Sequence, residues 1–234
     1  MFETTIRDGV FQAHSPGARW LLTGWSGGYT DSDGVYNISV PEGWNRTDLE
    51  AYTDERRVRA GFDSDGPALL TGVDMKHAAG ATLDGVRAVA TVGISNPAAV
   101  PLEPDGTEPE GLVPDERPAS GTVNLVVGTD RALADGTLAT IHGVTVEAKT
   151  ATLQQLTGFS GTTSDAVAVG TDPDGEEAAF AGSATVVGDA TRAAVREAVR
   201  GSFESRFDEE RPPTSVESAD AGIVTSREAE VFDP

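Results

Sequence analysis

The chain has 234 residues and a formal net charge of −21, from 38 Asp and Glu against 17 Lys and Arg. It contains no cysteine, which excludes disulfides, thiolate metal sites and a cysteine nucleophile. The acidity leaves no basic face for phosphate contacts, so nucleic acid is disfavoured as a partner, and no apolar run is long enough to span a membrane.

The balance of charged and apolar residues indicates a folded protein adapted to high salt. Hydrophobic residues make up 38% of the chain, which is too many for a disordered acidic segment. Dense carboxylates stay hydrated in concentrated salt, and salt screens their mutual repulsion. Positive charge is carried almost entirely by arginine, since Lys76 and Lys149 are the two lysines. The start of the chain lacks the apolar region of a signal peptide, so we expect a cytoplasmic protein.

In chain order, the first half predicts short strands around one helix. Strands are predicted over residues 2–11, 20–23, 35–40, 68–71 and 85–93. A capping box over Thr47–Glu50 predicts a helix that runs to about Arg59. Gly24 to Gly28 is predicted to be a tight turn with exposed amides, and the proline-containing stretch 98–120 a surface loop.

The second half predicts the centre of the fold. It contains a strand over 121–128, a helix over about 137–157 with Gly158 as its C-cap, and a strand over 166–169. This spacing fits a parallel crossover. We therefore predict an α/β fold, a mixed β-sheet with helices packed on it, containing a βαβ crossover at about 121–170.

The remaining chain predicts a hairpin, a helix and a tail. Asp172–Gly175 is a turn signal that leads into a partner strand at 178–184, and Asp189 is expected to cap a helix that ends near Phe207. From residue 208 the chain is acidic and weakly periodic. We predict a single domain over 1–207 and a loosely docked acidic C-terminal tail over 208–234.

Lys149 and Asp165 are the leading candidates for catalysis. A lysine in a chain that otherwise uses arginine suggests a need for a compact ammonium group. Glu147 lies two positions away on the predicted helix, where the two side chains do not face each other, so Lys149 is expected to point at a substrate or at Asp165. Asp165 ends a hydroxyl-rich run, Thr162, Thr163 and Ser164, and its carboxylate is placed to act as a general base.

Other polar residues are candidates for substrate binding. Asn96 and Asn124 lie at or within predicted strands, where amides are unusual. They either donate to a substrate carbonyl or satisfy buried backbone groups. Asp74 and His77 adjoin another strand end, but with the distant His142 they form no convergent ligand set, and no metal site is predicted.

Five segments together resemble the adenosylcobinamide amidohydrolase (CbiZ) family of archaeal corrinoid salvage, and the acidity resembles a haloarchaeal member. They are LLTGVDMKH (69–77), TVGISNP (91–97), GTVNLVV (121–127), TVEAKTATLQQL (145–156) and GTTSDAVAV (161–169). Gly27 and Gly28 fit the resemblance more weakly. The resemblance covers about residues 15–200 and makes 1–207 an amidohydrolase domain.

The resemblance implies an amidohydrolase of vitamin B12 (cobalamin) biosynthesis. The enzyme would hydrolyse the amide between a corrin side chain and aminopropanol, or its phosphate, to give adenosylcobyric acid. Adenosylcobinamide or its phosphate is then the substrate, no cofactor is expected, and a homo-oligomer is compatible with the sequence. The residues inferred to be catalytic are Lys149, Asp165, Glu147, Thr163 and Ser164. The residues inferred to bind substrate are Asp74, His77, Asn96, Asn124, Thr162, Gly27 and Gly28.

Two chemical routes are open at this point. In one, Asp165 or Glu147 activates water while Lys149 stabilises the oxyanion or protonates the amine. In the other, Thr162, Thr163 or Ser164 is the nucleophile and Lys149 its base. The first route needs fewer assumptions. In either route, loss of Lys149 is expected to reduce turnover strongly and stability little, as for an exposed ion pair.

Two alternatives also stay open. A corrinoid-binding or sensing protein would keep an apolar cleft without hydrolysis. The alternative fold has two stacked sheets between helix layers, as in ornithine acetyltransferase-like amidases, and the threonine-rich run before Asp165 is a faint sign of it. Those enzymes cleave themselves at a threonine, so an intact-mass measurement separates the cases.

Removing salt should destabilise the fold. Unscreened carboxylates at this density repel one another, and the Debye length grows from ~3 Å at 1 M to ~30 Å at 0.01 M salt. We expect the melting temperature to fall steadily between molar and low-millimolar KCl. An unchanged melting temperature across that range would contradict the assignment of the acidity to salt adaptation.

Overall fold

The computed structural model describes residues 1–104, 106 and 121–233, so most of the predicted loop 98–120 lies outside the described residues. Over this part of the chain the helices are α1 (Leu49–Arg59), α2 (Asp135–Thr157) and α3 (Val186–Arg206). The strands are β1 (Glu3–Arg7), β2 (Val10–His14), β3 (Arg19–Leu22), β4 (Gly28–Asp31), β5 (Gly34–Ser39), β6 (Ala68–Thr71), β7 (Ala79–Leu83), β8 (Val86–Val92), β9 (Pro97–Ala99), β10 (Val123–Ala132), β11 (Gly161–Thr162), β12 (Ala166–Glu177) and β13 (Ile223–Val224). Short 3₁₀ helices cover Met75–His77 and Val216–Ser218.

The strands form two large sheets and a small one. The first sheet has four strands in the order β1-β2-β5-β6, and the second has six in the order β4-β3-β12-β10-β8-β7. The small sheet has the order β11-β9-β13. Both large sheets are mixed, because β5–β6 and β10–β12 are parallel while their other pairs are antiparallel.

The predicted crossover is β10–α2–β12. The two strands pair in parallel from Asn124 opposite Ala166 to Thr129 opposite Thr171. α2 ends at Thr157, and Gly158 follows with φ 83° and donates its N–H to the Gln154 carbonyl at 3.0 Å. The α/β fold and its crossover are therefore confirmed. A second unit of the same kind, β5–α1–β6, lies in the first sheet and was not predicted.

The two large sheets stack face to face between helices. Along β10, Leu125 and Val127 pack with α2 and α3, whereas Val126 packs between the sheets. Along β5, Val35 packs between the sheets and Ile38 packs toward α1. The layers therefore run α1, first sheet, second sheet, α2 with α3. This is the layering of the alternative fold, with two stacked sheets between helix layers.

The N-terminal strand is a hairpin, not the single strand predicted over 2–11. Arg7 pairs with Val10, and the two residues between them, Asp8 and Gly9, have φ of 45° and 69°. Asp84 and Gly85 make the same connection between β7 and β8, with φ of 42° and 79°. Asp-Gly between alternating apolar residues is the signal of a two-residue hairpin turn. Both turns are therefore encoded in the sequence, although neither was predicted.

β12 is three times as long as predicted, because the Asp172–Gly175 turn signal does not end it. Thr129 pairs with Thr171, and the next pair is Arg131 with Glu176, so residues 172–175 bulge out while the strand continues. The predicted partner strand at 178–184 is therefore wrong. A bulge accommodates proline and glycine without loss of the ladder on either side.

Two predicted helix caps are also wrong. α1 begins after Asp48, and no side chain caps it. α3 begins after Thr185, whose hydroxyl accepts from the Gly188 N–H at 3.1 Å, and Asp189 lies inside the first turn. Both threonine and aspartate are common caps, so composition alone did not choose between them.

The C-terminal segment is attached to the fold at two places. Val216 packs against the apolar core, and β13 pairs in parallel with β9. The expectation of a loosely docked tail therefore does not hold for residues 216–224, while the domain division at residue 207 stays a prediction. Among the helices described above, none combines the length and apolar character needed to cross a membrane.

A buried polar row joins the two large sheets. Asn124 of β10 donates to the Asn37 side-chain oxygen of β5 and to the Leu70 carbonyl of β6, each at 2.9 Å. Asn37 donates in turn to the Thr91 hydroxyl of β8 at 3.0 Å. Asn124 is 0% exposed. The row fixes the two sheets relative to each other with directional bonds inside an otherwise apolar layer.

Asn124→Ala should therefore lower the free energy of unfolding. The change leaves the Asn37 oxygen and the Leu70 carbonyl without this donor, which costs about 1–3 kcal/mol for a buried acceptor. Urea unfolding at fixed molar KCl measures the loss. Thr4→Ala on the exposed edge strand is the matched control, and equal losses in the two variants would contradict a role for the row.

Candidate active site

Lys149 and Asp165 form a buried ion pair. Lys149 lies on α2 and is 6% exposed, and its Nζ contacts Asp165 Oδ2. Asp165 immediately precedes β12, so the crossover itself brings the helix residue and the strand end together. Of the two directions considered for Lys149, the structure shows the one toward Asp165. The pair is far less exposed than the surface ion pair assumed from the sequence.

Four donors hold the Asp165 carboxylate. Oδ1 accepts from the Val123 N–H at 2.9 Å and from the Thr162 hydroxyl. Oδ2 accepts from Lys149 and from the Thr162 N–H at 3.2 Å. The donors come from β10, β11 and α2, so the carboxylate has one orientation set by three separate elements. Two backbone donors and one buried ammonium make this orientation costly to change.

Gly161 is needed beside the ion pair. A Cβ at this position would lie 2.6 Å from Asp165 Oδ2 and 3.3 Å from Lys149 Nζ. Any larger residue would push the carboxylate away from its donors. Gly161 begins the Gly-Thr-Thr-Ser-Asp run but was not among the predicted site residues.

Thr163 and Ser164 belong to a second hydrogen-bond cluster, centred on Asn96. Asn96 Nδ2 donates to the Thr163 hydroxyl at 2.6 Å and lies 3.3 Å from that of Ser164. Ser164 Oγ donates to the Gly121 carbonyl at 3.0 Å. Of the three hydroxyls in the run, Thr162 is therefore the one bonded to the ion pair. Asn124 belongs to the buried polar row between the two large sheets, so its predicted role in substrate binding has no support in this geometry.

Asp165 opens onto a cleft of about 380 Å³. Its polar end is formed by Thr122, Ser164 and Asp165, and Gly121 adjoins them. The other wall is apolar and includes Trp25 and Trp44, with Trp25 46% exposed. An apolar cleft with a few convergent polar groups is the usual form of a small-molecule site.

Several predicted site residues lie away from this cleft. Glu147 is on the outer face of α2, where it pairs with Arg192 of α3 at 3.1 Å. Asp74 accepts from the Lys76 N–H at 2.9 Å as the cap of a 3₁₀ helix, and His77 Nδ1 lies 3.1 Å from the Ser205 hydroxyl. These contacts give each residue a structural role, and a catalytic role for Glu147 has no support in this geometry.

The glycine-rich turn contributes to the cleft through its first residues. Gly24 and Trp25 line the cleft, whereas the predicted Gly27 and Gly28 do not. Gly28 is the first residue of β4 and pairs with Leu22. Trp25 was not selected from the sequence, although an exposed tryptophan in a glycine turn is a usable sign of a binding surface.

His142 lies on the same face of α2 as Lys149, two turns earlier. Burial lowers the pKa of His142 below its ordinary value, and the nearby positive charge of Lys149 lowers it further. The imidazole is therefore neutral at neutral pH and adds no second positive charge beside the ion pair. In the ranges 1–104, 106 and 121–233, no three His, Asp or Glu side chains are grouped as metal ligands.

Lys149→Ala should be strongly destabilising, contrary to the sequence-based expectation. Removing one partner of a buried ion pair leaves the other charge unpaired, which costs about 3–5 kcal/mol. The double variant Lys149→Ala/Asp165→Ala should recover part of this loss. Thermal unfolding at molar KCl measures both. Lys76→Ala is the matched control, because its side chain is 68% exposed and such pairs contribute about 0–1 kcal/mol. Equal effects at the two lysines would contradict the buried pair.

Comparison with known proteins shows the family of the chain. A family model described as adenosylcobinamide amidohydrolase matches residues 2–210. The adenosylcobinamide amidohydrolase of Halobacterium salinarum is 52% identical over 237 residues, covering 100% of both chains. The protein of the same name from Methanosarcina mazei is 26% identical over 214 residues, covering 87% of this chain and 96% of the other. The chain therefore belongs to the adenosylcobinamide amidohydrolase family.

Proposed function

We propose that the protein hydrolyses adenosylcobinamide at the amide that joins a corrin side chain to aminopropanol. The products are adenosylcobyric acid and aminopropanol, or its phosphate from the phosphorylated substrate. The observation that carries this proposal is the end-to-end similarity to a relative named for that activity. The buried Lys149–Asp165 pair at the polar end of a cleft supports it, because amide hydrolysis needs a positioned acid–base group.

Asp165 is proposed as the general base. It takes a proton from a water molecule while the water oxygen attacks the carbonyl carbon of the amide. The tetrahedral intermediate then collapses with cleavage of the C–N bond, and the proton on Asp165 passes to the leaving amine. One water is consumed, its oxygen and one hydrogen going to the acid and its other hydrogen to the amine.

The Thr162 hydroxyl occupies the lone pair of Asp165 that must be free to accept that proton. Of the four donors on Asp165, the Thr162 hydroxyl is the one that rotates without moving the backbone or exposing a buried charge. Its rotation frees a lone pair on Oδ1. The Val123 and Thr162 N–H groups and Lys149 meanwhile hold the carboxylate in place. Thr162 is thus proposed as a positioning residue.

Lys149 holds the Asp165 carboxylate in place between turnovers. It is 6% exposed and does not line the cleft, so it acts through Asp165 and not on the substrate. This differs from a direct role at the oxyanion. Two hydroxyls line the cleft, those of Thr122 and Ser164. Ser164 donates to the Gly121 carbonyl, and Thr122 lies 2.9 Å from both the Asn124 side-chain oxygen and the Ser164 carbonyl. Either hydroxyl must rotate away from these acceptors to donate to the developing oxyanion.

Water is preferred as the nucleophile, because no hydroxyl of the run both lines the cleft and is bonded to Asp165. Thr162 bonds to Asp165 but is 8% exposed and does not line the cleft. Thr163 and Ser164 are bonded to Asn96 and Gly121, neither of which is a base. Water that enters the cleft meets Asp165 directly.

The proposed setting is corrinoid salvage in the cytoplasm of a halophilic archaeon. The net charge of −21 supports the high-salt setting. The corrinoid is the substrate, and no additional cofactor is proposed. Neither a nucleic acid nor a membrane is proposed as a partner. A homo-oligomer is compatible with the sequence, and the mass of the protein in solution tests it.

Incubation of the purified protein with adenosylcobinamide at molar KCl tests the function. We expect adenosylcobyric acid and free aminopropanol, separated by chromatography and identified by mass. Asp165→Asn should lower kcat by about 10²–10⁴-fold, the usual contribution of a positioned acid–base group. Arg192→Gln, on the surface between α2 and α3, is the control and should leave kcat unchanged.

Two outcomes would overturn the proposal. Tight binding of adenosylcobinamide with no turnover would point to the corrinoid-binding or sensing alternative. A folded Asp165→Asn protein with full activity would remove the carboxylate from the mechanism. Melting temperatures of all variants, measured in the same salt, separate loss of chemistry from loss of fold.

A further inference from the structure

A second and larger groove adjoins the cleft that contains Asp165. Its volume is about 800 Å³, near the upper end of the ~300–1,000 Å³ range of ligand pockets. Val40, Gly72 and Gly121 line both cavities, so the groove and the cleft meet at these three residues. A ligand in the groove therefore reaches the polar end of the cleft past Gly121.

The C-terminal segment forms the outer wall of this groove. Residues 210–214 and 218–221 line one side, and the strand ends after β5, β6 and β8 line the other. The family model matches residues 2–210, so this wall lies almost entirely beyond the part of the chain that the model covers. The relative from H. salinarum matches the chain over its full length, including this segment.

The wall is anchored to β9, the strand that lies between β13 and β11. The Ala221 N–H donates to the Ser95 carbonyl at 3.1 Å, and the Thr225 N–H donates to the Ala99 carbonyl at 2.9 Å. Between them, β13 pairs with β9, and the other edge of β9 pairs with β11, where Pro97 lies opposite Thr162. The anchor therefore connects the wall to the residue that holds Asp165.

Gly222 permits this close approach. A Cβ at residue 222 would lie 2.7 Å from the Pro97 carbonyl oxygen and 2.9 Å from Val216 Cγ1. A branched side chain there would separate β13 from β9 without touching the cleft. Gly222 thus offers a way to displace the wall while the chain keeps its full length.

The lining of the groove fits a large ligand that carries amide groups. Carboxylates from Glu42, Glu210 and Asp220 accept hydrogen bonds from amide NH₂ groups, and Arg211 donates to amide carbonyls. Within the described ranges, Arg211 has no ion-pair partner. Apolar surface between these groups comes from Val40, Pro212 and neighbouring small residues. A ring with several amide arms presents this combination of an apolar body and a polar rim.

We propose that the groove binds the corrin macrocycle and that residues 211–221 are its outer wall, so the C-terminal segment determines substrate affinity. The inference rests on the proposed function for the identity of the ligand. With the ring in the groove, the scissile amide extends past Gly121 to Asp165, and the small cleft holds the leaving arm. The segment is then a binding element of the enzyme and not an appendage.

Three variants test the wall. The first ends after Glu210, the second is full-length Gly222→Val, and the third is full-length Arg211→Ala/Asp220→Ala, which leaves the backbone unchanged. Each should raise KM for adenosylcobinamide by on the order of tenfold with little change in kcat, because the contacts are shared by bound substrate and transition state. A chain that ends after Ser226 keeps the wall and is the control, with KM unchanged.

Inhibition by adenosylcobyric acid separates this inference from the proposed function. This compound keeps the ring and lacks the leaving arm, so its inhibition or dissociation constant should rise by the same factor as KM. Direct binding of the compound tests the wall even if the wild-type protein shows no hydrolysis. If the shortened chain does not fold, the two full-length variants decide. Unchanged KM and unchanged binding of the compound in folded variants would overturn the inference, as would a loss confined to kcat.

Discussion

The structure depends on one buried ion pair at the junction of its central crossover. An ammonium and a carboxylate removed from water are stable only when each has its partner and further hydrogen bonds. The fold meets this requirement for Lys149 and Asp165 by closing β10, α2 and β12 around them. Val123 at the start of β10 and Thr162 in β11 supply the remaining donors. The proposed chemistry and the fold therefore depend on the same few bonds.

The sequence predicts this junction well because its signals are local. Helical spacing, the C-cap at Gly158 and the apolar strand after Asp165 all lie within one continuous stretch, and they define the crossover. Lys149 was selected because the chain otherwise uses arginine. The pairing of Lys149 with Asp165, and not with Glu147, follows from helix geometry. Burial of the pair was not foreseen, since it depends on packing against a sheet that no local pattern describes.

The structure differs from the predicted elements where distant residues override a local pattern. Long-range pairing decides that β12 continues past Asp172–Gly175, and β10 provides the partner that overrides the local turn signal. Asn124 is an unusual strand amide, which suggested a substrate contact, but its partner Asn37 is far away in sequence and lies in the other sheet. The small strands β9, β11 and β13 are too short to show periodicity, so the position of the C-terminal segment was invisible before the structure.

Different parts of the chain hold the Asp165 carboxylate and form the walls of the cavities, and this division bears on how family members can diverge. Asp165 is held by a compact, contiguous unit, whereas the surrounding surface comes from Trp25 and Trp44 near the start of the chain and from residues beyond 210 near its end. None of the donors to Asp165 comes from the terminal regions, so on the proposal that these walls bind the substrate, substitutions there change the binding surface and keep the donors. Selection can therefore change the proposed binding surface at either end of the chain while the residues that hold Asp165 stay the same.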